Sequence, residues 1–375
     1  MPDQRIPFAD LRACYLELKS GIDAAVARVI DSARFIGGPE VSRFEAALAE
    51  SFGVPFAVGL NSGTAALTAV LHWLGLKPDD EVICPAHTYV ATAEAVVLAG
   101  ARPVFADVDP NTYQIAPEDV ARRISNRTRA VIAVHLYGLA APMNDLASVA
   151  TRAGIPVIED CAQAQGTALD GRPAGTIGLA GCLSFFPSKN LGAFGDAGAV
   201  ITRQPELARH VRMFANHGRL EKFTHEFPAA NERLDALQAA VLAVKLTRLE
   251  EWNARKRAAA RWYEEELKDL DEIILPRPIP GCDPSWHLYV IRLRDGKTRD
   301  AMRSHLEEQG IETGLHYPAS VPEQPAFTAF VRESCPAAAA VCATVLSLPM
   351  FPHITHEQVG RVGAAIRAFF RGRGH

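Results

Sequence analysis

Between residues 56 and 202, short and nearly continuous apolar runs alternate with longer stretches in which apolar positions recur every three or four residues. The first pattern predicts strands buried on both faces, and the second predicts helices with one apolar side. A strand at Phe56-Ala-Val-Gly leads into a helix over Ala65–Leu74, and one at Glu81-Val-Ile-Cys leads through Pro85-Ala-His-Thr-Tyr89 into a helix over Ala91–Ala99. Strands at Pro103-Val-Phe-Ala, Ala130–His135 and Pro156-Val-Ile follow, with helical stretches near 117–125 and 144–153 between them. Gly181–Phe186 and Ala197–Thr202 complete the series. Such alternation predicts an α/β unit with a mostly parallel sheet covered by helices on both faces, and ligands bind such sheets outside the carboxyl ends of the strands.

Two amphipathic helices, near 11–32 and 39–51, precede this unit and flank the turn Phe35-Ile-Gly-Gly-Pro39, where Pro39 suits a first helical position. After it come a helix near 205–216 and one long helical stretch from Leu234 to Leu267. Strands near 272–276 and 286–293 and helices near 298–310, 336–346 and 355–371 then predict a smaller α+β domain. The expected division is 1–255 and 256–375.

Composition narrows the function without naming it. The chain has 375 residues, 48% of them apolar, and a formal charge of -4, so it is globular and lacks the basic surface that sequence-independent nucleic-acid binding needs. A small-molecule partner is expected. Seven cysteines form no C-x-x-C pair, which predicts reduced thiols and a cytoplasmic protein. The charged N-terminus, with Asp3, Arg5, Asp10 and Arg12, does not fit a signal peptide. Ser334–His356 lacks Asp, Glu, Lys and Arg but is broken by Pro336, Pro349 and Pro352, so no membrane span is expected.

Three stretches carry candidate chemistry. Lys189 lies between a strand-like run and a glycine-rich loop, and no other Asp, Glu, Lys or Arg occurs between Arg172 and Asp196. An ammonium without a local counter-charge loses its proton near neutrality, and a neutral lysine condenses with an aldehyde to a Schiff base. Gly192, Gly195 and Gly198 would let backbone pass close to a bulky ligand. Asn61-Ser-Gly-Thr-Ala65, between a strand and a helix, offers free N–H groups and the Thr64 hydroxyl to an anion. Ile155-Pro-Val-Ile-Glu-Asp160 ends a strand in two carboxylates, and Asp160 suits a protonated pyridine nitrogen. Taken singly, these features also read as a strand end, a helix cap and a turn residue. In chain order they match the phosphate anchor, ring partner and Schiff-base lysine of a pyridoxal-phosphate enzyme, with Tyr89 as an aromatic face for the ring. No metal site is expected: His353-Ile-Thr-His356 lacks the H-E-x-x-H context and reads as loop polarity. No dinucleotide fingerprint, Walker loop or nucleophile elbow is present.

These residues, with Ile6-Pro-Phe-Ala-Asp-Leu, Phe35-Ile-Gly-Gly-Pro-Glu, His135-Leu-Tyr-Gly, Glu159-Asp-Cys-Ala-Gln-Ala-Gln-Gly, Ser184-Phe-Phe-Pro-Ser-Lys-Asn-Leu-Gly, Asn216-His-Gly-Arg, Asn231-Glu-Arg-Leu-Asp and Gly314-Leu-His-Tyr-Pro, make the chain similar to the DegT/StrS-type family of pyridoxal-phosphate-dependent sugar aminotransferases. The resemblance implies a fold-type-I transferase: a three-layer αβα large domain with a mostly parallel seven-stranded sheet, plus a small α+β C-terminal domain. It assigns Lys189 to the Schiff base, Asp160 to the ring nitrogen, Gln163 to the ring 3-hydroxyl and Tyr89 to the ring face. Gly63, Thr64, Ala65 and Ser184 would hold the phosphate, with Asn231 reaching the phosphate of a neighbouring subunit in a homodimer with shared active sites. His316 and Tyr317 fall on the substrate side, and Gly314-Leu-His-Tyr-Pro resembles the members that aminate C3 of the sugar more than those that aminate C4.

The implied reaction moves an amino group from glutamate to a keto sugar on a nucleotide diphosphate, for aminosugar biosynthesis. Two departures bear on the substrate: Ala229-Ala230 stands where the family usually has Gly-Tyr, and Ser320-Val-Pro-Glu-Gln-Pro replaces a run with a second His. C4 amination remains an alternative, as does a regulatory or scaffold protein that keeps the fold without turnover. A sugar dehydratase of this family would carry His at the position of Lys189.

Overall fold

A computed structural model describes residues 5–372. Helices α1 (Leu11–Ser32) and α2 (Pro39–Phe52) lead into the alternating unit of β1 (Phe56–Leu60), α3 (Gly63–Trp73), β2 (Glu81–Pro85), α4 (Ala91–Leu98), β3 (Arg102–Ala106), α5 (Pro117–Arg123), β4 (Thr128–Val134), α6 (Met143–Ala153) and β5 (Val157–Asp160). Two short strands, β6 (Ala168–Leu169) and β7 (Arg172–Pro173), precede β8 (Ala180–Ser184), β9 (Gly198–Thr202) and α7 (Pro205–Phe214). The large sheet has seven strands in the order β1-β9-β8-β5-β4-β2-β3. Parallel pairing joins β5 to β8, β4 to β5 and β2 to both β3 and β4, while β9 pairs antiparallel with β1 and β8 and so alone runs against the rest. The carboxyl ends of β1, β2, β5 and β8 therefore open on one edge.

Successive side chains of a strand point to opposite faces, and the cores follow that rule. Val58, Val82 and Val200 pack with Leu67, Ala95 and Val211 on the α3, α4 and α7 side, whereas Ala57, Leu183 and Ala199 pack with Phe44, Leu48 and Leu242 on the α2 and α8 side. Each fully buried Leu or Val on these faces contributes roughly 1.5–3 kcal/mol.

The stretch expected as one helix from Leu234 to Leu267 is two, α8 (Ala236–Leu246) and α9 (Leu249–Leu267). Asp235 caps the first, accepting a hydrogen bond from Gln238 N. The chain then forms β10 (Ile273–Ile274), β11 (Cys282–Asp283), β12 (Tyr289–Leu293), α10 (Gly296–Glu308), α11 (Pro336–Thr344), β13 (Val345–Leu348) and α12 (His356–Arg371). Strands β10, β12 and β13 make an antiparallel sheet, with Met302, Leu306, Val362 and Ile366 of α10 and α12 packed on Tyr289, Ile291, Leu346 and Leu348. This is the small α+β domain. The helix expected over 336–346 stops at Thr344, and Val345–Leu348 forms a strand instead. The small sheet β11-β6-β7 was not legible, because its strands are two residues each.

Candidate active site

Strand ends deliver the site. Where β1 stops, Ser62 N-caps α3 by accepting a hydrogen bond from Ala65 N at 3.0 Å. The first N–H groups of a helix have no partner within it, and Ser62 takes that of Ala65, which leaves those of Gly63 and Thr64 for an anion. Ser184, at the end of β8, closes the other side so tightly that a Cβ on Gly63 would lie 2.8 Å from the Ser184 Cβ. Gly198 is equally constrained, since a Cβ there would lie 2.3 Å from the Ser62 carbonyl. The glycines beyond Lys189 thus serve protein packing rather than ligand approach: a Cβ on Gly192 would strike Pro187 O at 2.2 Å, and one on Gly195 would meet the Gln238 amide at 3.3 Å.

The two carboxylates at the end of β5 part company, as alternation along a strand requires. Glu159 turns into the protein, accepting from His135 Nε2 at 2.9 Å and from the backbone N–H groups of Gly175, Ile177 and Gly178. Burial works to raise its pKa, but these donors outweigh it and hold the carboxyl below its ordinary value. Asp160 faces the cavity, where Thr92 Oγ1 donates at 2.9 Å and Ala162 N at 3.1 Å. Burial raises its pKa despite both donors and the Lys189 charge, so a cationic N–H placed opposite would supply counter-charge that the protein itself does not provide in full.

Lys189 follows β8 in a turn closed by its own N–H to Phe186 O at 2.8 Å. Desolvation lowers the pKa of its amine to about 8, and only Asp160 works in the other direction. The partner that the sequence did not show is therefore supplied by the fold, 29 residues away along the chain.

Gln163 bridges to the small domain: its Oε1 accepts from Tyr137 N at 2.7 Å, and its Nε2 donates to Tyr317 OH at 3.0 Å. Tyr317 lies beside Tyr89, with ring centroids 5.7 Å apart, and burial raises its phenol pKa. His316 stacks on Phe8 at 5.5 Å and shares a hydrogen bond with Ser347 Oγ at 2.9 Å. Burial, with the Lys189 charge nearby, lowers its pKa to about 4, so this imidazole is neutral.

One cavity of about 570 Å³ brings together Gly63, Thr64, Tyr89, Asp160, Gln163, Ser184, Lys189, His316 and Tyr317. Ala65 sits just behind it, spent on the cap. Asn231 is exposed, pairs with Asn216 in an isolated bridge, and is absent from that lining. Thr92, Phe186, Ser188, Asp196 and His287 also line the cavity and were missed, since a lone Thr or His on an apolar element carries no motif.

The one close group of candidate metal ligands among the described residues is His135, Glu159 and Cys161. Its His and Glu are already occupied by each other and by backbone groups, including Ala141 N on His135 Nδ1, so it is a structural network. His353 and His356 diverge, His353 pairing with Glu17 at 2.6 Å and His356 packing on Trp262. All seven cysteines are free thiols.

The cavity fits pyridoxal phosphate: a helix N-terminus for a phosphate, a carboxylate short of counter-charge for a pyridinium, a depressed lysine for an aldehyde, and an aromatic ring at the mouth. Comparison with known proteins agrees. The model of the DegT/DnrJ/EryC1/StrS aminotransferase family matches residues 17–367. The dTDP-3-amino-3,4,6-trideoxy-alpha-D-glucose transaminase of Streptomyces venezuelae is 45% identical over 97% of this chain and 96% of its own. The UDP-N-acetyl-3-dehydro-alpha-D-glucosamine 3-aminotransferase of Acidithiobacillus ferrooxidans is 41% identical over 98% of both. The crystal structure of S. venezuelae DesV in complex with a ketimine intermediate superposes with a TM-score of 0.95 at 44% identity, covering 97% of this chain and 98% of the other. The chain belongs to the DegT/DnrJ/EryC1/StrS aminotransferase family and is a pyridoxal-phosphate-dependent enzyme.

Proposed function

We propose that the enzyme moves an amino group from glutamate to C3 of a keto sugar carried on a nucleotide diphosphate. What carries this reading is the cavity that joins Lys189 and Asp160 to His316 and Tyr317, together with relatives at 45% and 41% identity whose names both place the nitrogen on C3 of a nucleotide-linked sugar. A second cavity of about 430 Å³ shares Thr88, Tyr89 and Tyr317 with the first and leaves room for a substrate larger than a free sugar.

The roles divide by position. Gly63 N, Thr64 N and the Thr64 and Ser184 hydroxyls hold the phosphate, with Ala65 fixing the turn through Ser62. Asp160 pairs with the ring nitrogen, Gln163 reaches the 3-hydroxyl, and Tyr89 covers the ring. Pyridoxal phosphate, when bound, supplies the electron sink for the carbanion left as a proton departs. Lys189 Nζ takes that proton from the amine-bearing carbon of the donor and later returns one to the sugar carbon, a role suited to an amine that titrates near neutrality. The neutral His316 and the Tyr317 hydroxyl offer hydrogen bonds to the sugar without adding charge beside Lys189.

Asn231 completes the site from a second copy in this reading. It is exposed and lies outside its own chain's cavity, as a residue serving a neighbouring chain's phosphate would. Exposed apolar side chains, Phe186 in the cavity wall and Ile36 and Leu220 in one pocket with Asn216, the bridge partner of Asn231, give such a partner a surface to cover.

The test supplies ¹⁵N-glutamate with nucleotide 3-keto and 4-keto sugars and reads the product by NMR. Label on C3 is expected. Label on C4 would favour the alternative regiochemistry, and transfer from glutamine or aspartate but not glutamate would remove the donor assignment. No transfer to any sugar, with cofactor bound, would leave the regulatory reading.

A further inference from the structure

Tyr137 sits in the turn that follows β4, buried and held at φ +63°, a left-handed conformation that a non-glycine residue rarely adopts. Contacts on several sides fix it there. Its carbonyl accepts from Leu288 N at 3.2 Å, and its N–H donates to Gln163 Oε1 at 2.7 Å. Its ring lies edge-on to Tyr113 and to His87, with centroids 5.7 and 5.9 Å away. Its hydroxyl donates to the carbonyl of His316, in the loop that carries both substrate-side residues.

A carbonyl accepts and never donates, so the direction of every bond behind it is fixed. With its one proton spent on His316 O, the Tyr137 oxygen accepts from His87, whose Nε2 lies 2.6 Å away. Burial, with the Arg292 charge adding to it, lowers the pKa of His87 to about 3, so the ring is neutral; protonated on Nε2, it presents a bare Nδ1. Opposite stands the Cys342 thiol at 3.0 Å, raised by burial to about 12 and therefore able to donate. The chain thus runs from Cys342 S–H to His87, from His87 N–H to Tyr137 and from Tyr137 O–H to His316. It leaves the small domain at α11, crosses two buried side chains of the large one, and returns to the small domain at His316.

We infer that His87 and Tyr137 are positioning residues that hold the loop of His316 and Tyr317 where the sugar substrate needs it, an inference that rests on the function proposed above. Tyr137 also orients Gln163, whose Nε2 then donates to Tyr317 OH at 3.0 Å, so one residue sets the loop through its hydroxyl and through its backbone N–H. A further bond, Val321 N to Ala86 O at 2.9 Å, ties the far end of the loop to the residue before His87. Tyr317, Pro318, Ala319 and Val321 of that loop form part of the wall of the second cavity, beyond Tyr89. A nucleotide-linked sugar needs that wall, and glutamate, far smaller, does not. Loosening the loop should therefore cost the sugar half-reaction more than the glutamate half-reaction.

The experiment follows the bound cofactor's absorbance through each half-reaction of the holoenzyme, first with glutamate and then with a nucleotide 3-keto sugar. Tyr137→Phe keeps the ring and the backbone bond to Gln163 but loses the bond to His316 and leaves His87 Nε2–H without an acceptor. The second-order rate constant of the sugar half-reaction should fall about 10-fold or more, while that of the glutamate half-reaction stays within about 3-fold. His87→Gln, whose amide N–H can stand where Nε2–H does, should keep the wild-type ratio, and His87→Leu should match Tyr137→Phe. Equal losses in both halves, or none, would overturn the inference. So would a crystal structure of the Tyr137→Phe holoenzyme in which residues 314–318 keep the place they have in wild-type crystals of the same form. If the wild type aminates no nucleotide sugar, the substrate reading falls, and those crystals alone decide whether Tyr137 holds the loop. Should Tyr137→Phe fail to fold, His87→Leu serves both measurements.

Discussion

Lys189 is kept where it destabilises the protein. A fall in pKa from 10.5 to about 8 through desolvation corresponds to about 3 kcal/mol of destabilisation at neutral pH, as an upper figure. The sign follows from the folded value lying below the unfolded one: the cost is full below about pH 8 and fades as pH rises toward 10.5. Lys189→Met should therefore melt higher than the wild type as apoprotein at pH 7, and the gap should close by pH 10 in a series of melts. A Met variant that melts lower throughout would mean the amine is well solvated. Thr92 acts through Asp160, to which its hydroxyl donates at 2.9 Å. Losing one such bond removes about 1 kcal/mol from the ionised carboxylate, about one pKa unit. Thr92→Val should thus move the acid limb of the pH–rate profile upward by about that much, and Thr92→Ser should restore it; a fall in rate with no shift in the limb would assign Thr92 to packing alone.

At the scale of elements, what was legible in the sequence was whatever has a local cause. The strands of the large sheet are apolar runs, and Pro39, Asn61-Ser-Gly-Thr and the Lys189 loop announce their own turns, so helix starts, sheet class and the lysine's charge isolation could be read from the chain. What depends on contact could not. Asn231 precedes α8, but Asp235, adjacent to Ala236, is the residue that caps it. Thr247–Arg248 interrupt a continuous helical pattern with no Gly or Pro to mark the break. Thr92 became visible only when β5 brought Asp160 beside α4. The same element delivers Glu159, which four donors hold as a carboxylate. Glu159→Gln would turn amide N–H groups toward those donors, leaving at least one unsatisfied at about 1–3 kcal/mol. Because the folded pKa of Glu159 lies below the ordinary 4.5, its contribution is present above that pH and is lost as pH falls through the lower folded value. Urea unfolding at pH 7 should show the variant's deficit, and the gap to wild type should narrow below pH 4; equal stability at pH 7 would mean the network is slack. We propose a domain boundary within α9, near residues 255 and 256. Asn253 still bonds Gln165 O of the large unit, whereas Tyr263 and Leu267 pack with Tyr289 and Ile291 of the small one.

For the whole molecule, the role proposed for Asn231 needs two chains. Suppose each site takes Lys189 from one chain and Asn231 from the other. Then Lys189→Ala and Asn231→Ala, each poorly active alone, should regain up to about half of wild-type activity when mixed and allowed to exchange, since one of the two sites in a mixed dimer is intact. No recovery, with exchange confirmed by native mass spectrometry, would confine each site to one chain. The central claim concerns one amine among three: Lys245 and Lys256 are also buried and also depressed, to about 8 and about 7. What separates Lys189 from them is the cavity, where it alone of the three lies with Asp160 and the start of α3. The most direct test reduces the pyridoxal-phosphate-loaded enzyme with borohydride and maps the modified peptide by mass spectrometry. The account predicts the reduced cofactor on Lys189 alone, and its recovery on Lys245 or Lys256 instead would contradict it.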